Sequence, residues 1–244
     1  FTESANELGR ALKDRMHVII DTDHFRPKPH DTLEILSADR NPRVRFDVTL
    51  DDKTDGVIAA HKALQEREVP FEKYVVAGYL VHGLDHVEGG KSKIGMKSGW
   101  PNKLEPHEIG SDAALVLPVS PRAAKSVITL SQALDAVAEE KGAKQLDPLN
   151  SMMTAFKFVG AYSGILNDSM VMQNYDGNNY KALDAVVDAT RTQFEGQMDN
   201  IAAGLEMAKK GRKNAKLLNE FTGRWGFMRD VLEHLAEGQD ETSR

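Results

Sequence analysis

The feature that most constrains the fold is a long amphipathic pattern at residues 179–210. Apolar or small side chains recur there at steps of three and four, the spacing that keeps one stripe of an α-helix facing a partner. The pattern predicts one continuous helix of roughly 45 Å, at about 1.5 Å per residue, and a helix this long usually spans a whole bundle. We expect Leu183, Val187, Phe194, Ile201 and Leu205 to be buried. The stripe consists of Leu183, Val187, Thr190, Phe194, Met198, Ile201, Leu205 and Ala208.

The rest of the C-terminal half carries further helical patterns. Ser120-Pro121 and Asp147-Pro148 each place an N-cap residue before a proline at the first helical position. The helices that follow are predicted to end near residues 141 and 166. A turn is predicted at residues 175–178, and a last helix at residues 227–236. Residues 111–244 are therefore predicted to form a helical bundle joined by short loops.

The N-terminal part, residues 1–110, is predicted to be a mixed α+β region, either separate from the bundle or continuous with it. Capping boxes at residues 4–7 and 31–34 and helical periodicity from residues 54 and 71 indicate helices. At residues 43–50, Val44, Phe46, Val48 and Leu50 alternate with polar side chains, which predicts a strand. Its partner would be residues 18–20, 74–76 or 114–117, because a strand must pair its backbone groups. Residues 89–110 are predicted to be a long loop. The fold class is thus mainly α with a small α+β element.

Composition excludes several classes of site. The formal net charge of −6 argues against a general nucleic-acid binder. The absence of cysteine excludes disulfides, thiolate zinc sites and cysteine nucleophiles. No run of about 18 apolar residues is present, so we expect a soluble globular protein without a transmembrane helix. No cofactor motif and no compartment are indicated, and the start at Phe1 suggests a processed or trimmed form.

The stretch that most suggests chemistry is residues 82–86. On a helix, His82 and His86 would lie on one face and could bind one metal ion. The spacing is similar to that of the inverted zincins, but Asp85 stands where that pattern has a longer glutamate. Nothing in the sequence brings a third ligand within reach, so we expect no stoichiometric zinc, iron or manganese. The candidates for that ligand are Glu88, His61, His107 and Glu108.

A basic and aromatic cluster follows the long helical pattern. Such a cluster could hold a nucleic-acid backbone and stack its bases. Because the chain is acidic overall, we favour a structural interpretation, in which the cations complement the helix dipole and the aromatic residues close the bundle. The candidate nucleic-acid residues are Lys209, Lys210, Arg212, Lys213, Lys216, Arg224 and Trp225, with Phe221 and Phe227 beside them.

Two functional hypotheses follow. The leading one is a non-catalytic structural or interaction protein, a helical subunit that self-assembles or binds a protein partner through exposed helix faces. It draws on the helix predicted to start at Asp147-Pro148, which has apolar side chains on more than one face. This suggests that the helix makes contacts on two sides. The alternative is a metal-dependent enzyme or sensor with a pocket around His82, Asp85 and His86. A nucleic-acid partner is not expected. The helix in question contains Met152, Met153, Phe156, Phe158 and Val159.

Overall fold

The computed structural model describes residues 10–20, 28–37, 52–84, 115–144 and 146–242. These segments are mainly helical, as predicted. The described helices are α1 (Arg10–Lys13), α2 (Pro29–Ser37), α3 (Thr54–Glu66), α4 (Phe71–His82), α5 (Pro121–Glu140), α6 (Pro148–Gly160), α7 (Asp168–Tyr175), α8 (Asn179–Glu195), α9 (Met198–Ala208), α10 (Ala215–Leu218) and α11 (Gly226–Thr242), with a 3₁₀ turn at Gly223–Trp225.

The small α+β element is not found in the described part of the chain. The β pairing there is one isolated antiparallel bridge between Val116 and Leu166. Of the proposed strand partners, residues 18–20 are coil and residues 74–76 lie inside α4. Tertiary packing overrides the β propensity of that second segment, because α4 is buried on several sides of the helix. The predicted strand at 43–50 and the predicted loop at 89–110 lie outside the described residues.

The chain divides into two compact units. One is Ile20–Glu68, which contains α2 and α3. The other combines Phe1–Ile19 with Val69–Arg244 and contains the remaining helices. The helix α4 therefore belongs to the same unit as the C-terminal bundle. The predicted boundary at residue 110 falls outside the described residues.

The larger unit is a helical bundle. In it, α4 packs on α5 and α6, α6 packs on α8, and α11 packs on α9 and α4. The proline-led starts are as predicted: the Ser120 hydroxyl accepts a hydrogen bond from the Ala123 amide (3.0 Å), and Asp147 accepts one from the Asn150 amide (3.0 Å). These caps satisfy amides that have no partner inside the helix, which fixes where each helix begins.

The pattern at residues 179–210 forms two helices rather than one, so the prediction of a continuous helix is wrong. The amide of Gln197 bonds to the Phe194 carbonyl three residues back (2.9 Å), which tightens and ends α8, and Gln197 then leaves helical geometry. Gly196 is a poor helix former at the same point. The predicted burial of five residues is confirmed, whereas Met198 of the same stripe is 56% exposed. The buried residues are Leu183, Val187, Phe194, Ile201 and Leu205.

Residues 161–166 are predicted to continue a helix, but they are not helical in the structure. The helix α6 ends at Gly160 rather than near residue 166. Residues beyond it pair with the chain before α5, through hydrogen bonds from the Leu117 amide to the Ile165 carbonyl and from the Asn167 amide to the Leu115 carbonyl. The Asn167 side chain then caps α7 by accepting from the Ser169 amide (3.1 Å). A change of direction thus replaces the last turn and a half of the predicted helix.

Gly83, the C-cap of α4, has no room for a side chain. A Cβ atom there would lie 2.6 Å from the main-chain oxygen of Arg224. We expect Gly83→Ala to lower the free energy of unfolding by about 1–3 kcal/mol, because main-chain atoms must shift to relieve the overlap. Urea denaturation followed by circular dichroism measures this loss.

Gly196 provides a matched control. It is also a C-cap glycine with ordinary helical dihedral angles, and a Cβ atom there would meet its nearest neighbours at 3.7 and 3.8 Å. Gly196→Ala should therefore leave stability unchanged or raise it by about 0.5–1 kcal/mol. Equal losses in the two variants would contradict the close approach at Gly83.

Candidate functional site

Of the proposed metal ligands, the structure describes His82 and His61, and His61 is an exposed residue of α3. His82 is exposed and is the last residue of α4, and its ring stacks on that of Phe227 with centroids 6.2 Å apart. Asp85, His86, Glu88, His107 and Glu108 lie outside the described residues. Among the residues that are described, no three histidine, aspartate or glutamate side chains are placed to hold a metal ion. The expectation of no stoichiometric metal stays a prediction, which elemental analysis of purified protein checks.

The basic half of the other predicted cluster lies at the surface. Two of its lysines are paired with acids: Lys210 contacts Glu206 (2.5 Å) and Lys213 contacts Glu237 (2.7 Å). Hydrogen bonds and charge from these lysines hold the pKa of each glutamate below its usual value. The cationic potential of the cluster is therefore partly neutralised. Lys209, Arg212 and Lys216 are also exposed.

The aromatic half of that cluster is in the core. Trp225 is 4% exposed and packs against Tyr79 and Phe194, with ring centroids 4.8 and 4.9 Å away. Arg224 donates a hydrogen bond to the Tyr79 hydroxyl (3.3 Å). The indole is thus enclosed by protein and presents no face for base stacking. The structural interpretation of the aromatic residues is the one that this packing supports.

A buried polar network joins α4, α5 and α6, and the sequence did not predict it. The Lys73 ammonium, with 2% of the residue exposed, donates to Asp135 (2.6 Å), Ser131 (2.9 Å) and Ser151 (3.4 Å). The Ser151 hydroxyl donates to the other oxygen of Asp135 (2.7 Å). The ammonium therefore uses all three donors, as a buried charge requires. We call these four residues the Lys73 network.

The Lys73 network contains serine and lysine side chains, which together can form a nucleophile and its base. It does not expose them as such a catalytic pair requires. Nucleophilic catalysis needs a hydroxyl that a substrate can reach and a base free to take its proton. Ser131 and Ser151 are both buried, and the Lys73 ammonium is paired with a carboxylate. The buried hydroxyls therefore lack the exposure that such a reaction needs.

The smaller unit presents a different kind of surface. No residue of α2 or α3 is buried. Large apolar side chains nonetheless lie on both helices, and Leu36 is 77% exposed. We call this set the α2–α3 apolar residues. They are Leu33, Ile35, Leu36, Val57 and Ile58.

The methionine-rich helix α6, which suggested a partner at the sequence level, is largely covered by its own chain. Met152, Met153, Phe156 and Val159 are buried, and α6 packs on α4, α5 and α8. Phe158 is 43% exposed and contacts the Tyr180 ring edge to face. The apolar faces of α6 are therefore accounted for by the bundle, apart from Phe158.

No family model, curated protein or solved structure matches the chain. None of the helices in the described segments is long and apolar enough to cross a lipid bilayer.

Proposed function

We propose that this chain is a non-catalytic helical subunit that binds protein, a second copy of itself or a partner, through the α2–α3 apolar residues. The observation that carries the proposal is the complete absence of buried residues in α2 and α3 beside their exposed leucine, isoleucine and valine side chains. Exposed apolar side chains that form a patch are typical of protein interaction sites.

The stability of short helices supports the same function. The helix α2 has 9 residues and α3 has 13, lengths at which an isolated helix is marginal in water. Most helical stability in proteins comes from packing an apolar face, and neither helix buries a residue within this chain. Covering one leucine or isoleucine side chain contributes about 1.5–3 kcal/mol. A bound protein that covers several of them would stabilise both helices.

The alternative, a metal-dependent enzyme or sensor around His82, Asp85 and His86, has less support. His82 stacks on a core aromatic ring, and the sequence fixes no third ligand for the histidine pair. The Lys73 network is enclosed, so it offers no second catalytic candidate. The interaction function is therefore the better proposal.

Sedimentation velocity over a wide range of protein concentration tests the proposal. We expect the wild-type mass to rise above the 27.0 kDa of one chain, and we expect Leu33→Glu/Leu36→Glu to stay at that mass. The glutamates place charge where an apolar contact would form. Because α2 has no buried residue, the urea midpoint of the larger unit should not change.

Leu33→Met/Leu36→Met is the matched control, because it keeps the surface apolar and similar in size. It should associate like the wild type. If the glutamate variant associates as strongly as the wild type, these residues are not the contact surface. A wild type that remains a monomer at every concentration would rule out self-assembly through this surface.

A further inference from the structure

The orientation of α4 in the bundle is poorly specified by its apolar residues. Its buried positions cover a wide arc, about 200° of the helix circumference at about 100° per residue. Apolar contacts are non-directional, so several rotations or translations of such a helix would bury a similar area. The buried residues of α4 are Lys73, Val75, Val76, Ala77, Tyr79 and Leu80.

Lys73 differs from all of these. It is the one charged residue among the buried residues that the structure describes. Its ammonium is satisfied by groups from two neighbouring helices, Ser131 and Asp135 on α5 and Ser151 on α6. Hydrogen bonds of this kind are directional, and they form at one position of α4 only.

The location of Lys73 is a poor one for simple stabilisation. It is the third residue of α4, where the helix dipole disfavours a positive charge. Removing an ammonium and a carboxylate from water also carries a desolvation cost, and apolar side chains of similar volume often stabilise such sites equally well or better. The network is therefore not explained by stability alone.

We propose that the Lys73 network is a conformational device that fixes the rotation and axial position of α4 against α5 and α6. A slide of α4 along α5 and α6 by one helical turn, about 5.4 Å, would keep apolar side chains in contact with apolar side chains, provided that Gly78 and Gly83 keep their contacts with Phe227 and Arg224. It would also leave the Lys73 ammonium buried without its carboxylate. The network thus selects one packing by making the neighbouring ones unfavourable, as single buried polar residues do in coiled coils.

A second contact fixes a different side of α4. Gly78 lies against the Phe227 ring of α11, where a Cβ atom would be 2.9 Å from that ring. This close approach orients α4 toward α11. It does not involve α5 or α6, so the face toward those two helices depends on the Lys73 network.

The test is a distance measurement between spin labels. The chain has no cysteine, so Tyr74→Cys on α4 and Val137→Cys on α5, both 50% exposed in the native sequence, give two unique labelling sites. We expect one narrow distance distribution in the otherwise wild-type protein. In Lys73→Met/Asp135→Leu, we expect the helical circular dichroism to be retained and a second population to appear at a different distance, shifted by up to about 5 Å.

Two controls make the result specific. Lys157→Met/Asp184→Leu removes an exposed ion pair that joins α6 to α8, and it should keep the single distribution. Lys73→Gln/Asp135→Asn keeps directional hydrogen bonding without charge and should also keep it. A single narrow distribution in Lys73→Met/Asp135→Leu would overturn the proposal. Loss of its helical signal would do so as well, because the network would then be required for stability.

Discussion

Asp135→Leu is expected to lower the free energy of unfolding of the bundle by about 3–5 kcal/mol. The substitution removes the carboxylate that contacts Lys73 at 2.6 Å, while the lysine stays 2% exposed. A buried ammonium without its counter-charge is far less stable than the same group in water, so the folded state loses stability relative to the unfolded chain. Urea denaturation at neutral pH measures the change.

Asp184→Leu is the control for this loss. Asp184 contacts Lys157 at the same distance, 2.6 Å, but both side chains are substantially exposed. Surface ion pairs contribute about 0–1 kcal/mol, so the control should be nearly as stable as the wild type. Similar losses in Asp135→Leu and Asp184→Leu would show that Lys73 is solvated after all.

Trp225→Ala is expected to cost about 3–5 kcal/mol, as removal of a core aromatic side chain usually does. The indole packs between Tyr79 and Phe194, and its ring also stacks on that of Phe227 at 6.1 Å. Its loss leaves a cavity where α4, α8 and α11 meet. Thermal or urea unfolding measures the change.

Phe158→Ala is the matched control, since it removes an aromatic ring that is 43% exposed. Its cost should be clearly smaller, because much of that ring already contacts water. If Trp225→Ala left stability unchanged, the indole would not be a core residue, and the nucleic-acid interpretation of the cluster around Lys209 and Arg212 would regain support.

The sequence predicted the features that depend on short-range patterns. Ser120-Pro121 and Asp147-Pro148 mark helix starts because the cap and the proline act within four residues. The buried stripe from Leu183 to Leu205 followed from helical periodicity. The break at Gly196 and Gln197 was missed because the stripe continues at steps of three and four across it. Periodicity reports which face is apolar, and it does not report whether the backbone is continuous.

The candidate sites were harder to predict because their residues are distant in sequence. Lys73 lies 58 positions from Ser131 and 78 from Ser151, so no local spacing connects them. The available signal is a lysine in the first turn of a mostly apolar helix, where the helix dipole disfavours a positive charge. Trp225 was read as part of a basic cluster because it is close to Arg224 in sequence. The burial of Trp225 depends on its packing against α4 and α8, and these contacts cannot be predicted from its neighbours in the sequence.

Amide hydrogen exchange in α2 and α3 tests the proposed interaction function most directly. In dilute, monomeric protein we expect these amides to exchange much faster than those of α5 and α6, because neither helix buries a residue. At concentrations where the mass exceeds one chain, or with a bound partner, the same amides should become protected. Slow exchange of α2 and α3 in the dilute monomer, matching that of the bundle, would contradict the account, because helices stable on their own need no partner.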